Sequence, residues 1–333
     1  MLDERKAAIL RAVVEEYIET AQPVGSSRLV HSAHLQVSPA TVRNELAVLE
    51  RDGYLVQPHT SAGRVPTDKG YRFFVDQLTP KGRLEAAQRQ AVADFFSRTH
   101  DAVEQMLHDT TRLLSGVTDL AAVVVAPGHE VATIRSVQLV ALGHRLALLV
   151  VVLSNGVVEK RGVELDEGTG DDRVAGASAH LAGHLVGQQM STLPEIPPTG
   201  DRATDDLVTD AVARLREGHD AEPDQVFVGG ASRMAAAFDA VETVRQVLDI
   251  LEQQYVVVTL LRDVLDRGLS VAIGSEVGHE SLAECSVVVA PYEVEGEPAG
   301  TIGVVGPTRM KYPQALAAVA LVGRRLGERL SEG

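Results

Sequence analysis

The segment Ser38–Thr67, SPATVRNELAVLERDGYLVQPHTSAGRVPT, leaves the backbone few choices. Ser38 followed by Pro39 is a helix start. The serine hydroxyl accepts from an orphan backbone N–H, and proline at the first helical position lacks an N–H that would find no partner there. Val42, Leu46 and Leu49 then fall at i, i+4 and i+7 and form one apolar stripe. Thr41, Arg43, Asn44, Ala47 and Val48 are left towards the outside. Asp52-Gly53 is a turn, Tyr54-Leu55-Val56 is β-rich, QPHTSAGR is a run of turn formers, and Val65-Pro66 begins a return strand.

The flanks complete the pattern. From Asp3 to Thr20, Ile9/Leu10, Val13/Val14 and Tyr17/Ile18 recur every four residues, which predicts an amphipathic helix. Pro23 and Gly25 end it, and Ser26 or Ser27 can cap a second helix carrying Leu29 and Val30. Two short helices before a third whose N-terminal residues are polar make a helix-turn-helix pattern, in which the third helix enters a DNA major groove. The strand–loop–strand that follows makes it winged, and Thr67-Asp68 then caps a fourth helix whose Phe73, Phe74 and Leu78 pack back. Arg43 suits guanine, Asn44 suits adenine, and Thr41 suits phosphate or a thymine methyl. Ser38 sits at the positive end of that helix, and Ser61 and Arg64 lie at a loop tip small enough to approach DNA. The candidate DNA-binding residues are therefore Ser38, Thr41, Arg43, Asn44, Ser61 and Arg64. Ser26, Ser27 and Arg28 either touch phosphate or simply cap their helix. Glu45 is omitted because phosphate repels it.

A net charge of -15 argues at first against a nucleic-acid binder. Its distribution reverses that argument. Residues 1–78 hold 9 Lys/Arg against 10 Asp/Glu, and the remainder holds 22 against 36. The N-terminal part is nearly neutral, so recognition must come from a few placed residues and not from a basic patch. The single cysteine, Cys285, excludes an internal disulfide or a cysteine zinc site. The opening MLDERKAAIL lacks a signal-peptide apolar core, and Val137–Leu153 is interrupted by Gln138, His144 and Arg145. A cytoplasmic protein without a membrane span is expected.

Further along, LTPKG reads as a hinge, and Leu84–Val117 as helix, either a spacer or part of a dimer seam. From Ala121 the period changes. AAVVVAP, IRSVQLVALG, RLALLVVVLSNG and VVEKRGVEL read as consecutive antiparallel strands, with Asn155-Gly156 the clearest hairpin turn. Helices are expected over Asp171–Met190 and Ala203–Glu217, a strand at Val226–Val228, and one long helix over Val241–Arg267. SVAIGSE, CSVVVAPYEV and TIGVVGP are further strands, and Ala315–Leu330 closes the chain as a helix. Strands, a mixed excursion and strands again define an α+β fold with an insertion.

No motif points to catalysis or a cofactor. His180 and His184 stand one helical turn apart but lack the glutamate of a zinc-protease pattern and a third ligand. Cys285 lies in a Val-rich strand and reads as a small buried hydrophobe. EGTGDD is too short for a phosphate cradle. GPTRMKYP reads as a strand-to-helix connection held by Arg309 and Tyr312, with an effector pocket or partner surface as the alternative. No metal and no cofactor are expected.

The string SPATVRNELAVLERDGYLVQPHTSAGRVPTDKGYRFFVD closely resembles the N-terminal domain of the bacterial heat-inducible transcription repressor family, HrcA. The likeness returns in IGSE (Ile273–Glu276), in GTIGVVGPTRMKYPQAL (Gly300–Leu316) and more loosely in VGGASRM (Val228–Met234). It implies a winged helix-turn-helix, a GAF-like domain and a dimerising insertion within that domain. On this chain those parts are expected at residues 1–79, at 119–165 with 239–333, and at 166–238, with a helical linker over 80–118. It also implies a homodimeric, non-enzymatic repressor of chaperone operons that binds an inverted-repeat operator in double-stranded DNA. A GroEL-type chaperonin would keep it active. A regulator gated by a small ligand in the GAF-like half is the alternative. An enzyme with an appended DNA reader is a third reading, weakened by the lack of any catalytic constellation.

Overall fold

A computed structural model describes residues 2–32, 38–59, 62–78, 84–98, 103–127, 132–154, 157–219, 225–235, 238, 241–268 and 270–332. The chain is α+β. It opens with helices α1 (Glu4–Thr20), α2 (Ser26–Ser32) and α3 (Pro39–Arg51), the short strands β1 (Leu55–Val56) and β2 (Val65–Pro66), and helix α4 (Asp68–Asp76). Asp3 caps α1 by accepting from the Lys6 N–H, and Ser38 and Thr67 cap α3 and α4 in the same way. Gly53, at φ +79°, supplies the left-handed turn between α3 and β1. The apolar stripes meet as the sequence requires: Ile9, Leu10, Val13 and Val14 of α1 bury against Leu29, Val42, Leu46, Leu49 and Leu55. Each such side chain contributes about 1.5–3 kcal/mol of burial.

The body is built on a five-stranded antiparallel sheet ordered β7-β3-β10-β9-β8. Its strands are β3 (Ala121–Val125), β7 (Val226–Gly229), β8 (Val271–Ile273), β9 (Cys285–Val294) and β10 (Glu297–Pro307). Helices cover both faces. On one lie α5 (Ala86–Phe96), α6 (Val103–Thr118) and α12 (Tyr312–Glu332), packed on Ala122, Val124, Val288, Ile302 and Val304. On the other, α9 (Ala231–Ala235), α10 (Val241–Glu252) and α11 (Gln254–Asp266) cover Ala121, Val123, Val287, Val289 and Val305. Burial on both faces explains the unbroken Val runs of these strands.

A separate three-stranded antiparallel sheet, β4 (Ile134–Ala141), β5 (Leu146–Leu153) and β6 (Val158–Glu164), carries α7 (Asp171–Leu185) and α8 (Arg202–His219) on its inner face. These elements share a core of their own, from Ile134 and Leu149 to Leu181 and Leu215. This corrects the expected division. The sequence reading grouped β3 with β4–β6 and began the insertion at Asp166. In the structure β3 pairs with β10 and β7, while β4–β6 belong with α7 and α8, so the excursion begins before β4. The expected turn at Asn155-Gly156 lies outside the described residues.

Two helical expectations also change. Residues 80–118 are more than a linker: α6 buries Met106, Leu107, Leu114 and Val117 against the body. Gln88 and Gln314, from α5 and α12, both donate to the Val117 carbonyl, at 3.0 and 2.8 Å. The single helix expected over 241–267 is broken at Gln253, where ψ of 82° interrupts the helical path. Tyr312 does hold the strand-to-helix connection, donating to the Thr308 carbonyl at 2.6 Å and lying 2.8 Å from the Ser286 hydroxyl. Cys285 is fully buried, and burial pushes its thiol up to about 12, so it stays protonated and inert.

Candidate nucleic-acid interface

On α3 the inward residues are Val42, Leu46 and Leu49, and the exposed ones are Pro39, Ala40, Arg43, Asn44, Ala47 and Arg51. Ser38 and Thr41 are engaged with each other. The Ser38 hydroxyl accepts from the Thr41 N–H at 3.1 Å, and their two hydroxyl oxygens are 2.9 Å apart. Arg43 and Asn44 have no hydrogen bond or ion pair among the described residues, and the small side chains of Ala40 and Ala47 flank them. A guanidinium and a carboxamide therefore stand ready on a face with no bulk around them.

The acids nearby are occupied. Glu45 lies between Arg5 and Lys6 of α1, at 3.8 and 3.9 Å. Glu50 binds Arg64, whose Nη2 and Nε donate to the same carboxylate oxygen at 2.8 and 3.1 Å. Arg28 is paired with Glu16. With these acids turned inward or neutralised, the exposed face of α3 presents Arg43 and Arg51 to solvent, Arg51 with Asp52 3.7 Å away.

Arg64 departs from expectation. The sequence reading put it at a loop tip facing DNA, but its side chain is only 19% exposed and turns back to α3. Its backbone forms a two-way bridge with Val24, each bond 2.9 Å. Arg64 thus ties the loop end of the β1–β2 hairpin to both the α1–α2 connection and α3. Ser61 lies outside the described residues. Sequence reasoning missed Glu50, because its partner is brought near only when the hairpin folds over. It also missed Lys69, which donates to the Asp52 carbonyl at 2.8 Å and sits 4.3 Å from the centre of the Tyr54 ring.

The His180 and His184 rings lie tilted with their centres 4.4 Å apart, with His180 Nε2 2.7 Å from the Pro197 carbonyl, and no group of three His, Cys, Asp or Glu that could hold a metal occurs among the described residues. Among the described residues no helix is long and apolar enough to cross a membrane.

Residues 104–316 match the family model described as the HrcA protein C terminal domain. The heat-inducible transcription repressor HrcA of Acidothermus cellulolyticus is 40% identical over 342 residues, covering 100% of both chains. That of Arthrobacter sp. FB24 is 40% identical over 98% of each, and that of Streptomyces albus G is 38% identical over 100% of each. A crystal structure of a hypothetical protein superposes with a TM-score of 0.68 at 23% identity, covering 100% of this chain and 99% of that one, and supports the fold alone. The relatives are transcription repressors, a class of regulators and not of enzymes. The chain belongs to the HrcA family, and its function is that of a heat-shock transcriptional repressor.

Proposed function

We propose that residues 1–78 form a winged helix-turn-helix reader whose α3 enters the major groove, with the β1–β2 hairpin as its wing. The observation that carries this reading is the pair Arg43 and Asn44, exposed and without internal partners while the acids around them are tied to α1 and the hairpin. Ser38 and Thr41 serve mainly to cap the helix, and they offer phosphate contacts at its N-terminus. Arg64 acts through Glu50 to hold the wing against α3. Arg43→Ala is expected to weaken specific binding by about 1–3 kcal/mol and to relax base preference at one position. Footprinting and titration on randomised half-sites check this, and unchanged selectivity would remove Arg43 from the groove.

The five-stranded sheet and its helices are read as the GAF-like domain, and the unit β4–α8 as the insertion that pairs two copies. Paired readers match an inverted-repeat operator, and pairing gives a nearly neutral reader the effective concentration it lacks alone. The family likeness extends the proposal to operators of chaperone operons and to a GroEL-type chaperonin that keeps the repressor active. On this reading the purified protein loses operator binding on mild heating and regains it with chaperonin. Retention of binding after heating without chaperonin would count against it. A second reading is a regulator gated by a small ligand: a cleft between β9 and α12, lined by Pro291, Tyr292, Glu293 and Arg324, holds about 480 Å³, within the range of about 300–1,000 Å³ usual for small-molecule sites.

A further inference from the structure

The reader is joined to the body by α4, and the joint is unusually directional. Arg72, two turns from the reader's core hairpin, reaches across to the turn that follows β8. Its Nε donates to Glu276 Oε1 at 2.9 Å, its Nη2 donates to the Val271 carbonyl at 2.7 Å, and Nη2 also bonds Glu276 Oε2. Glu276 is held in turn, since its Oε2 accepts from the Ile273 N–H at 3.0 Å. One turn earlier on α4, Asp68 Oδ2 accepts from both the N–H and the hydroxyl of Ser275, each at 3.0 Å. Between the two ties sits Gly274, at φ +54°, where a Cβ would fall 2.3 Å from Asp68 Oδ2. A side chain at 274 would displace the Asp68 carboxylate and break its tie to Ser275, and the positive φ itself favours glycine.

Two ties, one of them a planar fork on a carboxylate, fix rotation as well as position. The apolar part of the joint is less committed. Tyr71 is buried beside Tyr312, ring centres 5.9 Å apart, and its hydroxyl has no partner among the described residues. An unpaired buried hydroxyl weakens the contact that carries it, which leaves orientation to the polar ties.

We propose that Asp68 and Arg72 are positioning residues for operator binding: by gripping the Gly274–Glu276 turn, they set the angle of α3 on the body and hence the half-site spacing that a pair of chains accepts. This rests on the reading of residues 1–78 as a DNA reader. Each inserted base pair moves a half-site by about 3.4 Å along the duplex and turns it by roughly a tenth of a revolution. A rigidly held reader cannot follow such a change, and a loosely held one can.

The test uses the full-length protein and operator duplexes whose half-sites are brought closer or moved apart by one or two base pairs. The native chain is expected to lose about tenfold or more in affinity per base pair of change. Arg72→Ala, and the milder Glu276→Gln, are expected to flatten that profile to within about threefold while leaving binding to a single half-site unchanged. Arg72→Lys, which keeps a cationic donor against Glu276 but not the planar fork, is expected to retain more of the discrimination than Arg72→Ala, a graded response that a general loss of stability would not give. A folded Glu276→Gln or Arg72→Ala variant that keeps the native spacing profile overturns the assignment. Native protein that binds no inverted repeat at any spacing overturns the reader itself, which separates the two failures.

Discussion

Replacing Gly63 by alanine is expected to unseat the wing and to cost the reader both stability and operator binding. A Cβ at residue 63 would fall 2.5 Å from the carbonyl carbon and oxygen of Val24 and 2.7 Å from the Pro23 carbonyl carbon. All three are backbone atoms, so no rotamer change relieves the clash. The next residue makes the two-way bridge Val24↔Arg64, and the Arg64 guanidinium holds Glu50 on α3. Moving the strand enough to admit a methyl group breaks those bonds. Overpacking costs about 1–3 kcal/mol, and each lost hydrogen bond adds about 0.5–1.5. The expected result is a loss of about 3 kcal/mol or more in the reader, read by thermal unfolding, with operator affinity reduced at least tenfold. Gly25→Ala provides the contrast. Nothing lies within 4 Å of its added Cβ, so it is expected to stay within about 0.5 kcal/mol of the native chain. If the two variants behave alike, Gly63 is not the close approach between the hairpin and the α1–α2 connection.

The helices and hairpin of residues 38–67 were legible because local rules and tertiary packing agree there. The Ser38-Pro39 start, the i, i+4, i+7 stripe and the Asp52-Gly53 turn each act over a few residues, and the structure adds their mutual burial. What was lost lies in long-range pairing. β3 and β4 follow one another and both look like strands, so the chain reads as one meander. Their sheets differ, because β3 hydrogen-bonds to residues Thr301–Val305, far along the chain. A signal was present. β3 and β9 open with unbroken small and Val residues, as double-sided burial demands, whereas β6, VEKRGVE, mixes charged with apolar positions; β5, LALLVVVL, is as apolar as β3 and alternates only in its burial. The role of α6 was ambiguous for another reason. Its buried face includes Thr110, Thr111 and Ser115, polar types that usually mark a solvent face. Thr110 and Thr111 satisfy their hydroxyls on the helix's own carbonyls, at 2.8 and 2.7 Å, and Gly229 and Gly230 of the neighbouring segment lie against Thr111 and Ser115. Arg64 and Glu50, 14 residues apart, meet only once the hairpin has folded.

Charging the outer face of the three-stranded sheet is expected to have the largest effect on function. On that face β5 presents Leu146, Leu148, Val150 and Val152, joined across the ladder by Val140 of β4 and Val158 of β6, with Leu142 at 58% exposure beside them. The inner face is already filled by α7 and α8, so nothing among the described residues covers the outer one. Apolar surface of this kind, interrupted by Gln138 and Lys160 beside Val150 and by Glu164 beside Leu146, marks a site of association. A second copy of the same face is the occupant proposed here, since an isologous contact needs a self-complementary patch and apolar side chains supply one without charge matching. The double substitution Leu148→Glu with Val150→Glu keeps the outward positions of a folded strand but asks each partner to desolvate two carboxylates facing two more. Unpaired charges cost several kcal/mol each to bury, so the pair is expected to separate by a factor of about a thousand or more in dissociation constant. Operator affinity should then fall by about a hundredfold to ten-thousandfold, because each reader binds without its tethered neighbour, while binding to a single half-site stays as it was. Sedimentation and operator titration on the same preparation check both halves. A variant that still sediments with the native chain would move the pairing surface elsewhere, and a monomeric variant with native operator affinity would mean that pairing plays no part in recognition.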